Sequence, residues 1–370
     1  MIGGVWVKNV GLYIHIPFCA VKCGYCDFYS KTPNKEVIDR YTTCICDEIT
    51  AYGKKYPILF DTIYLGGGTP TLLGVLNIDK ILKTCFNVGV LENAEITVEA
   101  NPCTVTENLA KELVLVGVNR ISLGVQSGID DELKLLGRRH TANMAKRAVE
   151  IIRKSGIDNI SLDLMLGIPS QTKKTLVQSI EFCLEQNPTH ISAYILKIEE
   201  GTPFYKMQNT LNIPDEDEVA EYYLTTCKML EENGFIQYEI SNFCKKGYES
   251  QHNLRYWKGL EYIGVGASAH SFFMGQRYYY PRDLEGYLNK TLVIIQDGEG
   301  GDVSEKLMLG LRLSEGVNLT SLGIAKPEIE KIIAKAKRFE KLGLLKITDK
   351  TIALTKEGFL LSNSIIAEII

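Results

Sequence analysis

Three cysteines stand close together near the start of the chain: Cys19, Cys23 and Cys26, spaced CxxxCxxC. Thiolates are the natural ligands of iron–sulfur clusters. A [4Fe–4S] cube has four irons, and three nearby thiolates serve only three of them. The fourth keeps an open position, as catalytic metal sites do. The amine and carboxylate of S-adenosylmethionine (SAM) can chelate that iron. One-electron reduction can then break the C5′–S bond and release a 5′-deoxyadenosyl radical. A structural zinc site is the competing reading, but it calls for four ligands in CxxC pairs, and no second pair follows. Of the remaining cysteines, Cys44, Cys46, Cys85, Cys183 and Cys227 fall in helical patterns, where a thiol reads as a small buried hydrophobe.

A second group of residues lies where apolar runs end. DTIYLGGGTP closes on Gly66–Gly67–Gly68–Thr69, and glycines let a backbone approach a ligand closely. ITVEANP ends with Glu99, a carboxylate suited to a ribose hydroxyl, and RISLGVQ ends with Gln126. Arg138 follows in GRRHT. Asp163 stands inside the apolar run SLDLMLGIP, where a charge without a partner is costly to bury, so it faces a polar pocket or pairs with a cation. Further on, HNLRYW sets His252 beside Tyr256 and Trp257. A neutral imidazole is a good axial ligand for heme iron, and the two rings could cover a porphyrin face. Arg255, Lys258, Arg277 and Arg282 share that segment, and porphyrin propionates need such cations, although surface solvation is the better reading for any one of them.

These residues have to be held by recurring elements. Strand-like runs occur at Leu12–Ile16, Thr62–Leu65, Ile96–Glu99, Arg120–Gly124, Ile160–Leu166 and Ile191–Leu196, with amphipathic helical stretches between them, among them 36–51, 106–116, 141–154 and 173–185. Such alternation predicts parallel strands joined by crossover helices. Six strands are too few for a closed eight-stranded barrel, so an open partial barrel is expected, with its site at the carboxyl ends of the strands. Residues 215–232 read as a further helix, whereas 235–273 gives no clear assignment. Gly298–Gly301 reads as a linker, and beyond it a helix and a hairpin around Asp349–Lys350 suggest a winged-helix-like module. The expected division is 1–297 and 302–370.

CxxxCxxC at the end of a first strand resembles the radical SAM superfamily, which implies an α/β fold with a partial (β/α)6 TIM-like barrel. YIHIPFCxxxCxYC, YLGGGTPT, VEANP, RISLGVQS, GRRHT and DLMLGIP together resemble oxygen-independent coproporphyrinogen III oxidase and its relatives over nearly the whole chain, C-terminal module included. That resemblance implies SAM contacts at Tyr13, Tyr25, Gly67, Gly68, Thr69, Glu99, Gln126, Arg138 and Asp163, and leaves open one SAM molecule or two. It also places His270 near SAM. Two features separate the chain from the oxidases. Their motif continues with a cysteine where this chain has Phe28, and HNxxYW resembles the mark of HemW-type heme chaperones, implying heme ligation by His252 with Tyr256 and Trp257. His15 and His140 read as orienting neighbours and His190 as structural.

The expectation is therefore a protein binding a [4Fe–4S] cluster, SAM and heme, with a heme donor, a heme-requiring respiratory enzyme as recipient and a reductant such as flavodoxin or ferredoxin. A coproporphyrinogen-decarboxylating oxidase is the alternative. A nucleic-acid modifier is a minor one, since the net charge of −4 argues against wholesale nucleic-acid binding. The N-terminus lacks a basic start and a continuous apolar run, and no stretch of about 18 apolar residues occurs. A cytoplasmic location follows as the expectation, with peripheral membrane contact left open.

Overall fold

The computed structural model describes residues 7–370. Residues 1–6, on which the first domain and the signal-peptide reading begin, lie outside the described residues.

Strands β1 (Lys8–Ile16), β2 (Ile58–Gly67), β3 (Val90–Ala100), β4 (Arg120–Gln126), β5 (Asn159–Leu166) and β6 (His190–Ile195) lie side by side in chain order, all parallel. The crossovers run through helices Lys35–Lys55, Val75–Val88, Glu107–Leu115, Ala142–Ser155 and Lys173–Glu185. Local chemistry starts them. Asn34, Thr106 and Thr141 each accept a backbone N–H of the first turn. Thr172 and Asp215 begin reciprocal capping boxes, the latter at helix Glu216–Glu232. Covered by helices on one side and by interior side chains on the other, the strands read as nearly continuous apolar runs; all seven residues of β4 are buried.

Different strands extend the two edges of this sheet, so the barrel stays open. Beyond β6 lie β7 (Ile236–Gln237) and β8 (Asn242–Cys244), antiparallel, with β8 against β6. Beyond β1 lie β9 (Tyr262–Val265), parallel to it, then β10 (His270–Phe273), β11 (Gln276–Tyr279) and β12 (Ile295–Glu299). The segment that sequence patterning leaves unassigned thus supplies parts of both edges. Helix Gln251–Trp257 lies between them in the chain and packs on β2.

The expected linker takes a different form. Gly298 and Glu299 belong to β12, Gly300 N–H donates to Gly275, and Gly301 N–H donates to Glu305, which also pairs with Arg277. The positive φ of Gly298 and Gly301 (95° and 85°) bends an edge strand here and does not free a tether. After it come helix Val303–Gly310, β13 (Val317–Asn318), helix Lys326–Lys341, β14 (Leu345–Thr348) and β15 (Thr351–Leu354). The three strands form a second sheet, and Asp349 takes the left-handed conformation (φ 48°) in the hairpin turn. Among the described residues, no helix is long and apolar enough to cross a membrane.

Candidate functional site

A cavity of about 800 Å³ opens at the carboxyl ends of β1 to β6 and runs into the interior between them. The chain leaves β1, turns at Pro17 and returns, so that Cys19 N–H donates to Lys31 (3.0 Å) and Lys31 N–H to Pro17 (2.8 Å). That closure makes a loop of the segment carrying all three clustered cysteines. Inside it Cys26 N–H donates to Cys23, Gly24 N–H to Leu136, and Phe204 N–H to Gly24. A Cβ on Gly24 would stand 2.8 Å from the Phe204 ring, so close packing requires glycine there. The three thiols are free, partly exposed and line the cavity.

The glycine loop after β2 is fastened to the same turn. Gly68 N–H donates to Ile16 (2.8 Å) and Thr69 N–H to Phe18 (2.7 Å). A Cβ on Gly68 would meet the Phe18 carbonyl oxygen at 2.5 Å, and Gly67 has φ +110° with the His15 ring 2.6 Å from where its Cβ would be. Thr69 Oγ1 lies 3.8 Å from the Cys19 sulfur. Glu99 Oε1 accepts from Tyr64 (2.8 Å) and Oε2 from Gly67 N–H (3.0 Å); burial pushes its carboxyl up to about 7. Asp163 accepts from Ser122 (3.1 Å), and burial raises it to about 6. Gln126 ends β4 at φ +72°, a conformation costly for any residue but glycine, and accepts from the Tyr194 hydroxyl at 2.6 Å. Arg138 donates to Gly124 (2.7 Å) and reaches to 3.8 Å from the Cys23 sulfur. Tyr13 bonds His15 (2.9 Å), and Tyr25 packs edge-on against Phe204.

All three cysteines and all nine expected SAM-contacting residues therefore line one cavity. The donor set fits a cubane and SAM. The buried Nε of Arg138 has no partner, and carboxylates and a side-chain amide suited to an amino acid and a ribose surround the thiols. Among the described residues, no three His, Cys, Asp or Glu side chains converge as one metal ion requires. Three thiolates of a cubane bind three different irons and need not converge on one point.

HNLRYW lies at the opposite end of the cavity, beneath β2 and β3. Glu95 accepts from the N–H groups of Gln251 and His252 (both 3.0 Å) and stands 3.9 Å from Arg120. His252 is 1% exposed. One ring nitrogen bonds Thr62 (2.8 Å) and the other Tyr256 (2.9 Å), while Tyr64 stacks on the ring at 5.3 Å. Burial lowers its pKa to about 3, so the imidazole is neutral. His252 and Tyr256 line the floor of the cavity, whereas Trp257 does not, its ring lying under Arg312 of the C-terminal region. The expected trio is thus divided, and no open imidazole nitrogen faces a ligand.

The accompanying cations are also engaged. Arg255 pairs with Asp61, Arg277 with Glu305, Arg282 with Asp27, and Lys258 with Glu315. His270 is exposed, stacks on Tyr279 and does not line the cavity. His15 and His140 are buried against Tyr13 and the Val125 carbonyl, and His190 bridges Ser161 and Tyr238. Tyr64, Arg120 and Tyr194 also line the cavity without having been singled out in the sequence. A usable signal was present: each is a polar or aromatic residue in an otherwise apolar strand, and two of them stand level with another such residue on a neighbouring strand (Tyr13 pairs with Tyr64, Thr97 with Arg120).

The radical SAM superfamily description matches residues 13–183, and the HemN C-terminal domain matches 302–361. The heme chaperone HemW of Bacillus subtilis is 35% identical, over 95% of this chain and 97% of its own. That of Lactococcus lactis is 34% identical over 97% and 96%. A zebrafish protein named radical S-adenosyl methionine domain-containing protein 1, mitochondrial, is 32% identical over 98% and 87%. Among solved structures, coproporphyrinogen III oxidase (HemN) from Escherichia coli superposes with a TM-score of 0.85 at 20% identity, covering 98% of this chain and 90% of that one.

Proposed function

This chain belongs to the HemW-type branch of the radical SAM superfamily, and from that premise we propose that it is a heme chaperone that binds a [4Fe–4S] cluster, SAM and heme and delivers heme to a heme-requiring enzyme. The observation that carries this reading is similarity to chaperones along the full length, joined to a cavity whose donors suit both cofactors. Cys19, Cys23 and Cys26 hold the cluster. When bound, cluster and SAM supply one-electron radical chemistry. The glycine loop, with Glu99 fixing Gly67, presents backbone groups to the methionine end of SAM. Asp163, Gln126 and Arg138 complete the polar wall, and Tyr13 and Tyr25 pack beside it. Phe28, 65% exposed at the cavity mouth, stands where the oxidases carry a further cysteine.

The recipient is a heme-requiring respiratory enzyme, and the electron enters from a flavodoxin- or ferredoxin-like reductant. Among the described residues, the barrel and its edge strands run to the end of β12, and a second module spans residues 302–370. Anaerobic reconstitution tests the reading. The protein should take up iron and sulfide, give a cubane EPR signal on reduction, bind hemin with a Soret shift and form no protoporphyrinogen from coproporphyrinogen III. Protoporphyrinogen formation, or a protein that binds no hemin, would sink it.

A further inference from the structure

The interior of a barrel of this kind is usually packed with Val, Ile and Leu. The cavity floor here carries a guanidinium instead. Arg120 opens β4 level with Thr97 of β3, lines the cavity and is 2% exposed. Resting on the chaperone reading, we propose that Arg120 and Ser250 form a carboxylate-binding subsite at this floor, which takes a propionate side chain of the heme.

Unmet donors are the first reason. A guanidinium carries a fork of N–H groups and no acceptor. In Arg120 one end donates to the Thr97 hydroxyl at 3.5 Å, and the buried Nε has no partner. Glu95 stands 3.9 Å from that Nε, too far for a hydrogen bond, and both its oxygens already accept backbone N–H groups, those of Gln251 and His252. Glu95 therefore balances charge without satisfying the fork. A buried donor left open calls for a partner, and a carboxylate matches a planar fork.

Ser250 is the second. It stands at the N-cap of helix Gln251–Trp257, where a serine hydroxyl ordinarily accepts an N–H of the first turn. This one does not. Glu95 takes the N–H groups of the two residues that follow, and the buried Ser250 Oγ lines the cavity with no partner. A hydroxyl released from its usual task thus shares the floor with an under-used guanidinium, and Glu95 touches the surroundings of both.

Space and ligand are the third. Ser122, Ser161 and Ser192 line the cavity from β4, β5 and β6, closer to its mouth than Arg120. Their short side chains leave open the path that branched residues would fill. Heme carries two propionates, which are its anionic groups, and a charge-assisted bond from a buried guanidinium holds one more firmly than a solvated surface cation does. His252, the imidazole that the sequence offers to heme iron, lines the same floor and is joined to Arg120 through Glu95. Iron and propionate of one macrocycle then have their partners on one floor.

Titration of the full-length protein with hemin and with hemin dimethyl ester, whose propionates are neutral, tests this through the Soret band. The parent should bind hemin about tenfold more tightly than the ester. Ser250→Ala removes no cap, so it should melt like the parent and narrow that preference about threefold. Arg120→Met should abolish the preference, and Arg120→Lys should restore part of it. Iron-free protoporphyrin IX, which needs no axial ligand, should show the same dependence on Arg120. If Arg120→Met unfolds, Ser250→Ala and the ester decide. Equal binding of hemin and ester by the parent, or a preference left intact in the folded variants, would overturn the subsite while leaving the chaperone reading standing. So would a fall in SAM affinity that matches the fall in hemin affinity. A parent protein that binds no hemin would overturn both readings together.

Discussion

Glu99 accepts from Tyr64 and from Gly67 N–H at once, so it fixes the glycine loop and faces the cavity with the same carboxylate. Replacing it by Gln keeps the size but weakens charge-assisted acceptance, which is worth about 1.5 kcal/mol or more. Glu99→Gln should therefore lower SAM affinity about tenfold under anaerobic equilibrium dialysis, with the cluster content unchanged. Gln126 allows a sharper separation of fold from function. Its φ of +72° costs the folded state, and glycine has no such cost. Gln126→Gly should hold or raise the melting temperature while SAM binding weakens, because the Tyr194 hydroxyl loses its acceptor and the cavity wall its amide. A variant that melts lower and binds SAM normally would show that the strained residue serves packing alone.

At the scale of elements, β1 to β6 and their capped helices are legible because each is specified locally. The strands are long apolar runs, and Asn, Thr or Asp stands at the start of the helices that follow, except Val75–Val88, which begins after Gly74. The site residues at strand ends are legible for the same reason: a glycine run or an isolated carboxylate interrupts an apolar pattern. Residues 235–273 are not, since their strands are two to four residues long and their placement is fixed by distant partners. Arg255 alone binds Asp61 and the carbonyls of Asn9 and Glu261. The types in HNLRYW suggest a heme ligand, yet only tertiary contacts reveal that they close the barrel floor. Glu95 is the key to that closure, since it caps helix Gln251–Trp257 and neighbours Arg120. Glu95→Ala should cost about 2 kcal/mol from the lost cap and the stranded guanidinium, read as a lower denaturant midpoint. An unchanged midpoint would mean that the floor does not depend on this cap.

For the whole molecule, the question is what binds the C-terminal module to the barrel. Ile240 N–H donates to Arg312 and Ser314 N–H to Tyr238 (both 3.0 Å), a short antiparallel bridge between the two parts. Glu239 sits in the middle of it, 1% exposed, accepting from Ser241 N–H. Burial raises its carboxyl from 4.5 to about 7, against the opposing hydrogen bond from Asn242. A carboxyl raised in the folded state favours folding while it stays protonated. The two states bind that proton equally below about pH 4.5, and the folded state loses its advantage as pH rises to about 7. Above that, ionising the buried group costs on the order of 3 kcal/mol. Glu239→Gln keeps the acceptor oxygen and removes the charge. It should leave stability unchanged near pH 4 and raise it increasingly from pH 5 to 8, measured by denaturant unfolding at each pH. A constant difference across that range would mean that Glu239 is already ionised in the folded protein, with the guanidinium of Arg312 balancing its charge across the bridge.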